Sequence, residues 1–325
     1  MKTLFLATWC GFFAIAASAQ TRDGGSDIRI ALTEHKGLLR WDAPGFEIVQ
    51  ASAKPKGMEF GLRGHDRSAN MGFLGFLFLF PEAAPMTSAK CRDGVMDPSK
   101  KEDSSIRNYE TWTVTNDDGQ TVEVTSYVSG SKNPSYQLRA FIAAGDICGD
   151  LEFYSETPIR RNDSRIKAVV ASFRLDADYE PQFNDVFLYG QTLYNNHRYK
   201  EAGPTLELAL QKLSAASVEN KETVRRIVTD NAGMAYGISG NVSKARSIFE
   251  SAIRIDPDYA LNYYNLACAD AEEGKLKEAR QHLEMAFARK SNVLPGESLP
   301  DPTTDDSFIP HKSNPQFWDF LQRLK

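Results

Sequence analysis

RIVTDNAGMAYGISGNVSKARSIFESAIRIDPDY (226–259) is followed without a gap by ALNYYNLACADAEEGKLKEARQHLEMAFARKSNV (260–293). Superposed at an interval of 34 residues, Asn231, Gly233, Gly240, Ala245, Phe249 and Ala252 meet Asn265, Ala267, Gly274, Ala279, Leu283 and Ala286. Within the second copy, Tyr263, Leu266 and Ala267 make one stripe and Leu276, Ala279, Leu283 and Ala286 another. Steps of three and four place such residues on one helix face. Small residues there let two helices approach closely, and the large ones fill the space left. Gly240-Asn241 and Gly274-Lys275 lie between the stripes, where a left-handed residue ends a helix. Asp256-Pro257 ends the second helix of the first copy, because proline cannot continue it. The reading predicts a stack of helix–turn–helix units.

These residues resemble the tetratricopeptide repeat, over about 183–293. A weaker third copy lies upstream at 183–216, where Tyr199, Ala202, Leu206, Ala209 and Leu210 match Val242, Ala245, Phe249, Ala252 and Ile253. An insertion around 217–225 separates it from the copies at 226–259 and 260–293. Its first helix is expected from Phe183 to Asn195, and Pro204 is expected in the first turn of the second. Repeat stacks offer a concave surface lined by first helices, which selects an extended or helical peptide. The resemblance implies that Asn231 and Asn265 bind a peptide backbone, since an Asn side chain both gives and accepts a hydrogen bond. A local capping or inter-repeat bond is the alternative. Phe187, Tyr194, Met234 and Tyr264 are expected beside them as aromatic and adaptable lining. Leu188 stands where the first copy would carry its asparagine. The basic residues used by the family's chaperone-tail-binding members are not found, which argues against a carboxylate clamp.

From Ile28 to about Phe173 the period changes to two, and the segment 20–180 reads as a β-rich domain of α+β class. Asn116-Asp117-Asp118-Gly119 is expected to turn a hairpin. The aromatic run Gly72–Phe80 is too short to cross a membrane and reads as a central strand buried on both faces, with a membrane-inserting hairpin as the alternative. Ser164 to Ala171 turns helical before Ser172-Phe173-Arg174-Leu175, which resembles the last elements of PsbP-like α+β domains. That resemblance implies a sheet covered by a helix, not a sandwich. Asp97 to Asp103 reads as a solvated loop.

The first nineteen residues read as a secretory signal peptide: Lys2, an apolar run, then Ala17-Ser18-Ala19 before Gln20. An extracytoplasmic protein is therefore expected, with Cys91 and Cys148 paired in an oxidising compartment. Two unpaired cysteines are the alternative, and Cys268 reads as a small buried apolar residue. A net charge of −5 and no basic patch argue against nucleic acid or an anionic membrane as partner.

No catalytic motif is present, and His35, His65, His197, His282 and His311 match no metal-ligand spacing. No enzyme activity, cofactor or metal is expected. Gly64-His65-Asp66 is the most suggestive cluster, read as a polar turn after Met58–Arg63. Residues 294–314 read as a linker. In 315–325, Phe317, Phe320, Leu321 and Leu324 form a helical stripe, taken as a cap on the stack or as a tail in its groove. The function expected is a protein–protein interaction scaffold or adaptor. A β-rich domain that is an enzyme or small-molecule binder, recruited by the repeats, is the rival reading. Homotypic assembly is a third.

Overall fold

A computed structural model describes residues 20–22, 25–31, 36–43, 46–52, 58–66, 70–80 and 85–324. The signal-peptide reading of 1–19 lies outside them. The chain divides into two compact units at Thr192/Leu193.

The N-terminal unit holds eleven described strands in two antiparallel sheets. The smaller sheet has the order β1 (Gln20–Arg22), β2 (Gly25–Ala31), β3 (Leu38–Asp42) and β11 (Arg174–Asp176). The larger comprises β4 (Glu47–Ser52), β5 (Met58–Asp66), β6 (Met71–Leu79), β7 (Arg107–Thr115), β8 (Thr121–Ser129), β9 (Ser135–Ala144) and β10 (Ile147–Ser155). Its spatial order is β4-β5-β6-β10-β9-β8-β7. The hairpin expected at 116–119 joins β7 to β8: Gly119 has φ +79° and its N–H donates to Asn116 O at 3.0 Å. The Asn116 amide also donates to Phe173 O at 2.8 Å, tying the turn to the chain before β11.

The aromatic run is strand β6, paired with β5 and β10. Phe73 and Leu77 are fully buried, whereas Phe76 and Phe78 are only half-buried. One face is therefore core and the other partly open, not both closed. On the closed face, the Trp41 ring of the smaller sheet meets Phe73 edge-on at 5.6 Å. Helix α2 (Ser164–Ser172) lies beside β3, and Ser172 Oγ accepts from Asp42 N at 2.9 Å. The large sheet is thus covered on this face by the expected helix together with a second small sheet, which was not expected.

The opposite face carries α1 (Ser88–Glu102), which replaces the solvated loop expected at 97–103. Thr87 caps it, accepting from Lys90 N at 3.2 Å. Cys91 of α1 is disulfide-bonded to Cys148 of β10, with Cα atoms 5.5 Å apart, and packs with Met96, Tyr127 and Phe141. His65 and Asp66 belong to β5 itself, as its last two residues. Asp66 is buried and His65 half-buried.

A run of helices follows: α3 (Phe183–Asn195), α4 (Tyr199–Leu213), α5 (Lys221–Ile238), α6 (Val242–Ile255), α7 (Ala260–Glu272) and α8 (Leu276–Ala288). The division between the units falls inside α3. Gly240 and Gly274 take φ +89° and +75°, and Asn241 N and Lys275 N reach back to Tyr236 O and Asp270 O at 2.8 Å. Pro204 sits inside α4, one turn later than expected. The missing N–H costs one helical bond there. Gly233 brings α5 against α6, where a Cβ would lie 2.2 Å from the Phe249 ring. A short 3-10 turn (Ile309–His311) precedes α9 (Pro315–Arg323), capped by Asn314 Oδ1 accepting from Phe317 N at 3.1 Å.

Candidate functional site on the first-helix faces

Helices α5 and α7 are the first helices of the two strong copies, and their lining residues define the candidate site. The Asn265 amide of α7 donates to Asp230 Oδ1 of α5, which ties the two helices together. This is the inter-repeat bond that stood as the alternative to peptide binding, and Asn265 is only 8% exposed. Asn231 and Met234, one and four residues beyond Asp230, are half-buried on α5. Tyr194 is also half-buried and stacks edge-on against Tyr199 at 5.3 Å. Burial, and then the Asp230 carboxylate, push its phenol upward.

Asp230 is a residue of the candidate site that the repeat pattern does not mark. Burial pushes its carboxyl up to about 6, with the Asn265 bond opposing and Glu297 adding to the rise. Tyr259, whose hydroxyl donates to Glu297 Oε2 at 2.7 Å, is shifted upward by burial, Glu297 and Asp230. Asp230 immediately precedes Asn231, the first residue of the repeating pattern. A carboxylate one step off the pattern carries no periodic signal.

Tyr264 does not line an open groove. It is 1% exposed, and its hydroxyl donates to Asp305 Oδ2 at 3.0 Å. Phe308 meets its ring edge-on at 6.0 Å. Within the expected linker 294–314, Asp305 and Phe308 therefore pack against α7. Phe187 lies in the N-terminal unit's share of α3, half-buried and stacked on Phe183 at 5.6 Å. Cys268 is half-buried and unpaired, and burial raises its thiol well above the usual value.

Between α6, α7 and α8 the buried Asp270 accepts from Arg246 at 2.6 Å and lies 2.6 Å from His282 Nδ1. In the sheet domain, Arg139 is paired with Asp150 and Glu152 beside Tyr127. Burial lifts the Tyr127 hydroxyl to about 12 and raises the Glu152 carboxyl. Among the described residues, no group of three His, Cys, Asp or Glu is placed to hold a metal ion. Nor is any described helix long and apolar enough to cross a membrane.

The tetratricopeptide repeat family matches residues 230–259. The chain is similar to the Sgt2 TPR domain of Aspergillus fumigatus, at 20% identity over 44% of this chain and 78% of that one, TM-score 0.31. It is similar to PcrH of Pseudomonas aeruginosa at 10% identity, over 44% and 90%, TM-score 0.30. It is also similar to cyanobacterial PsbP from Synechocystis at 16% identity, over 51% and 97%, TM-score 0.33. No curated protein matches the sequence. The chain carries a tetratricopeptide repeat, a unit typical of protein–protein interaction, within its run of packed helices.

Proposed function

We propose that the protein is a non-catalytic, extracytoplasmic adaptor whose repeats bind a protein partner along the first-helix faces. The observation that carries this reading is the Asp230–Asn265 bond. It holds α5 and α7 as one surface, beside which Tyr194, Asn231 and Met234 keep partial exposure. A rigid surface of part-exposed aromatic, thioether and amide groups suits a peptide, which offers both apolar side chains and backbone hydrogen bonds. PcrH has been seen in complex with the chaperone binding region of PopB, and an analogous use is proposed here. The Ala17-Ser18-Ala19 pattern and the Cys91–Cys148 bridge support the compartment. Arg139 of β9 is paired with Asp150 of β10, and Arg92 of α1 with Glu123 of β8, which supports a structural role for these charged groups.

The test is a photo-crosslinking residue placed at Met234, and at Lys277 as control, in protein returned to its native envelope or culture fluid. A defined partner adduct at position 234, absent at 277 and weakened at least tenfold by Asn231→Ala, is expected. Equal or no adducts at both positions would rule the reading out.

A further inference from the structure

Residues 301–311 run along the α7 face that carries Tyr264, Cys268, Ala271 and Glu272. Asp305 Oδ2 accepts from the Tyr264 hydroxyl at 3.0 Å and lies 3.9 Å from the Cys268 sulfur. Ser307 Oγ donates to Glu272 Oε1 at 3.0 Å. His311 Nε2 is 2.7 Å from Ala271 O, and a carbonyl only accepts, so Nε2 carries the proton. Phe308 is 0% exposed and sits between Tyr264 and Phe317, at 6.0 and 6.1 Å. The segment is preorganised as one turn: Asp305 Oδ1 accepts from Ser307 N at 2.9 Å, and Asp305 O from Phe308 N at 3.0 Å. Pro302 precedes the turn, and Pro310 follows it within the short 3-10 turn Ile309–His311. Helix α9 has a different task, closing the apolar cluster with Phe320 beneath Arg280 and with Leu321.

We propose that the Asp305-Asp306-Ser307-Phe308 turn is a built-in stand-in for a ligand. The α7 face it fills is then the docking site for a partner segment with a carboxylate three residues before an aromatic ring. The face supplies what such a segment needs: the Tyr264 hydroxyl to donate to a carboxylate, and an aromatic-walled recess for a ring. A tethered turn has an effective concentration on the order of millimolar, so only a partner that binds well, or is itself held nearby, displaces it. The inference rests on the adaptor reading and carries its surface onto α7, where Cys268 stands one 34-residue repeat beyond Met234.

A labelled synthetic peptide of residues 301–312 is titrated by anisotropy against the full chain and against the full chain carrying Asp305→Ala and Phe308→Ala. The emptied variant is expected to bind at least tenfold more tightly than wild type. Binding should be lost with a peptide carrying Phe308→Ala, and weakened several-fold when the emptied variant also carries Tyr264→Phe. A folded variant that binds no better than wild type, or that binds the Phe308→Ala peptide equally, overturns the proposal. So does a variant that dimerises without taking up peptide. Should the double substitution prevent folding, Asp305→Asn keeps the ring in place. A gain of twofold or more then supports the proposal, and unchanged affinity overturns it. Peptide binding without Met234 crosslinks would leave this face standing and the adaptor reading failed; the reverse result would do the opposite.

Discussion

The sheet domain and the repeat helices place residues from opposite ends of the size scale where their elements meet. In the sheet domain Trp41, Phe46, Phe73, Phe153 and Phe173 interlock edge to face, and glycines opposite them leave the room. A Cβ on Gly75 would lie 2.5 Å from the Trp41 ring, and one on Gly64 2.2 Å from Phe73. In the helices the closest approaches are at Ala232, Ala235, Ala245, Ala267, Ala279 and Ala286, all buried, with Phe249 and Leu283 filling the space beside them. Trp41 and Phe173 come from opposite ends of the domain's sequence, whereas each alanine meets a neighbouring helix. A few large, non-local contacts make one cooperative body. Many small, local ones make a structure whose losses stay where they occur.

The sharpest way to break that contrast is to remove the long-range bond. The Cys91–Cys148 bridge closes a separation of 57 residues, which corresponds to about 4 kcal/mol in the chain-entropy view. Replacing both cysteines by serine should lower the whole sheet domain by about that amount. Hydrogen exchange should show protection falling together across β6, β8, β9 and β10 and staying unchanged in α5 to α8. Equal loss in both regions would erase the distinction. On the helical side, Ala279→Leu forces extra volume into a fully buried contact and should cost about 1–3 kcal/mol. The loss should be confined to α7, α8 and α9, with exposed Lys277→Ala as the reference. A denaturation midpoint no lower than that of Lys277→Ala would mean that Ala279 is not a close-packing position.

The same contrast governs what is legible in the sequence. The helices announce themselves because each contact recurs at a fixed offset, so spacing alone places Gly233, Ala245 and Ala279 at helix contacts. Helix α1 has no such mark. Among Cys91 to Glu102 only Val95 and Met96 join Cys91 as apolar residues, and Gly94 and Pro98 read as breakers. What holds it is non-local: the disulfide, and Arg92 donating to Glu123 at 2.6 Å. Phe308 is hidden for a related reason. One aromatic residue among prolines and aspartates has no period, and its partner Tyr264 is 44 residues earlier in the chain. The Cys91–Cys148 pairing is expected from cysteine count and the compartment that the N-terminal pattern suggests, without any knowledge of distance. Asn265 is found by its repeat position, but the bond it makes depends on a carboxylate outside the pattern.

That carboxylate gives the smallest expected effect and the finest comparison between the two regions. In the sheet domain, buried Asp150 is matched by the Arg139 guanidinium. In the helices, Asp230 has the Asn265 amide, and burial holds its carboxyl at about 6, above the ordinary 3.8. A folded-state value above the unfolded one means the native state keeps a proton that the unfolded chain has released. The resulting stabilisation is fully present below about 3.8 and is lost as pH rises through about 6. Above that, Asp230 is ionised at a cost to the fold. Asp230→Asn cannot ionise, and its side-chain oxygen can still accept from Asn265. It should therefore be more stable than wild type at pH 7.5 by about 1 kcal/mol, after discounting for partial solvent screening. Near pH 4 the gain should shrink toward zero. Asp150→Asn should do the reverse at neutral pH, because it leaves Arg139 without its nearest counter-charge. Denaturant midpoints of both variants at pH 7.5 and pH 4 make the comparison. A destabilising Asp230→Asn at pH 7.5 would show that the helical carboxylate is matched as well as the one in the sheet.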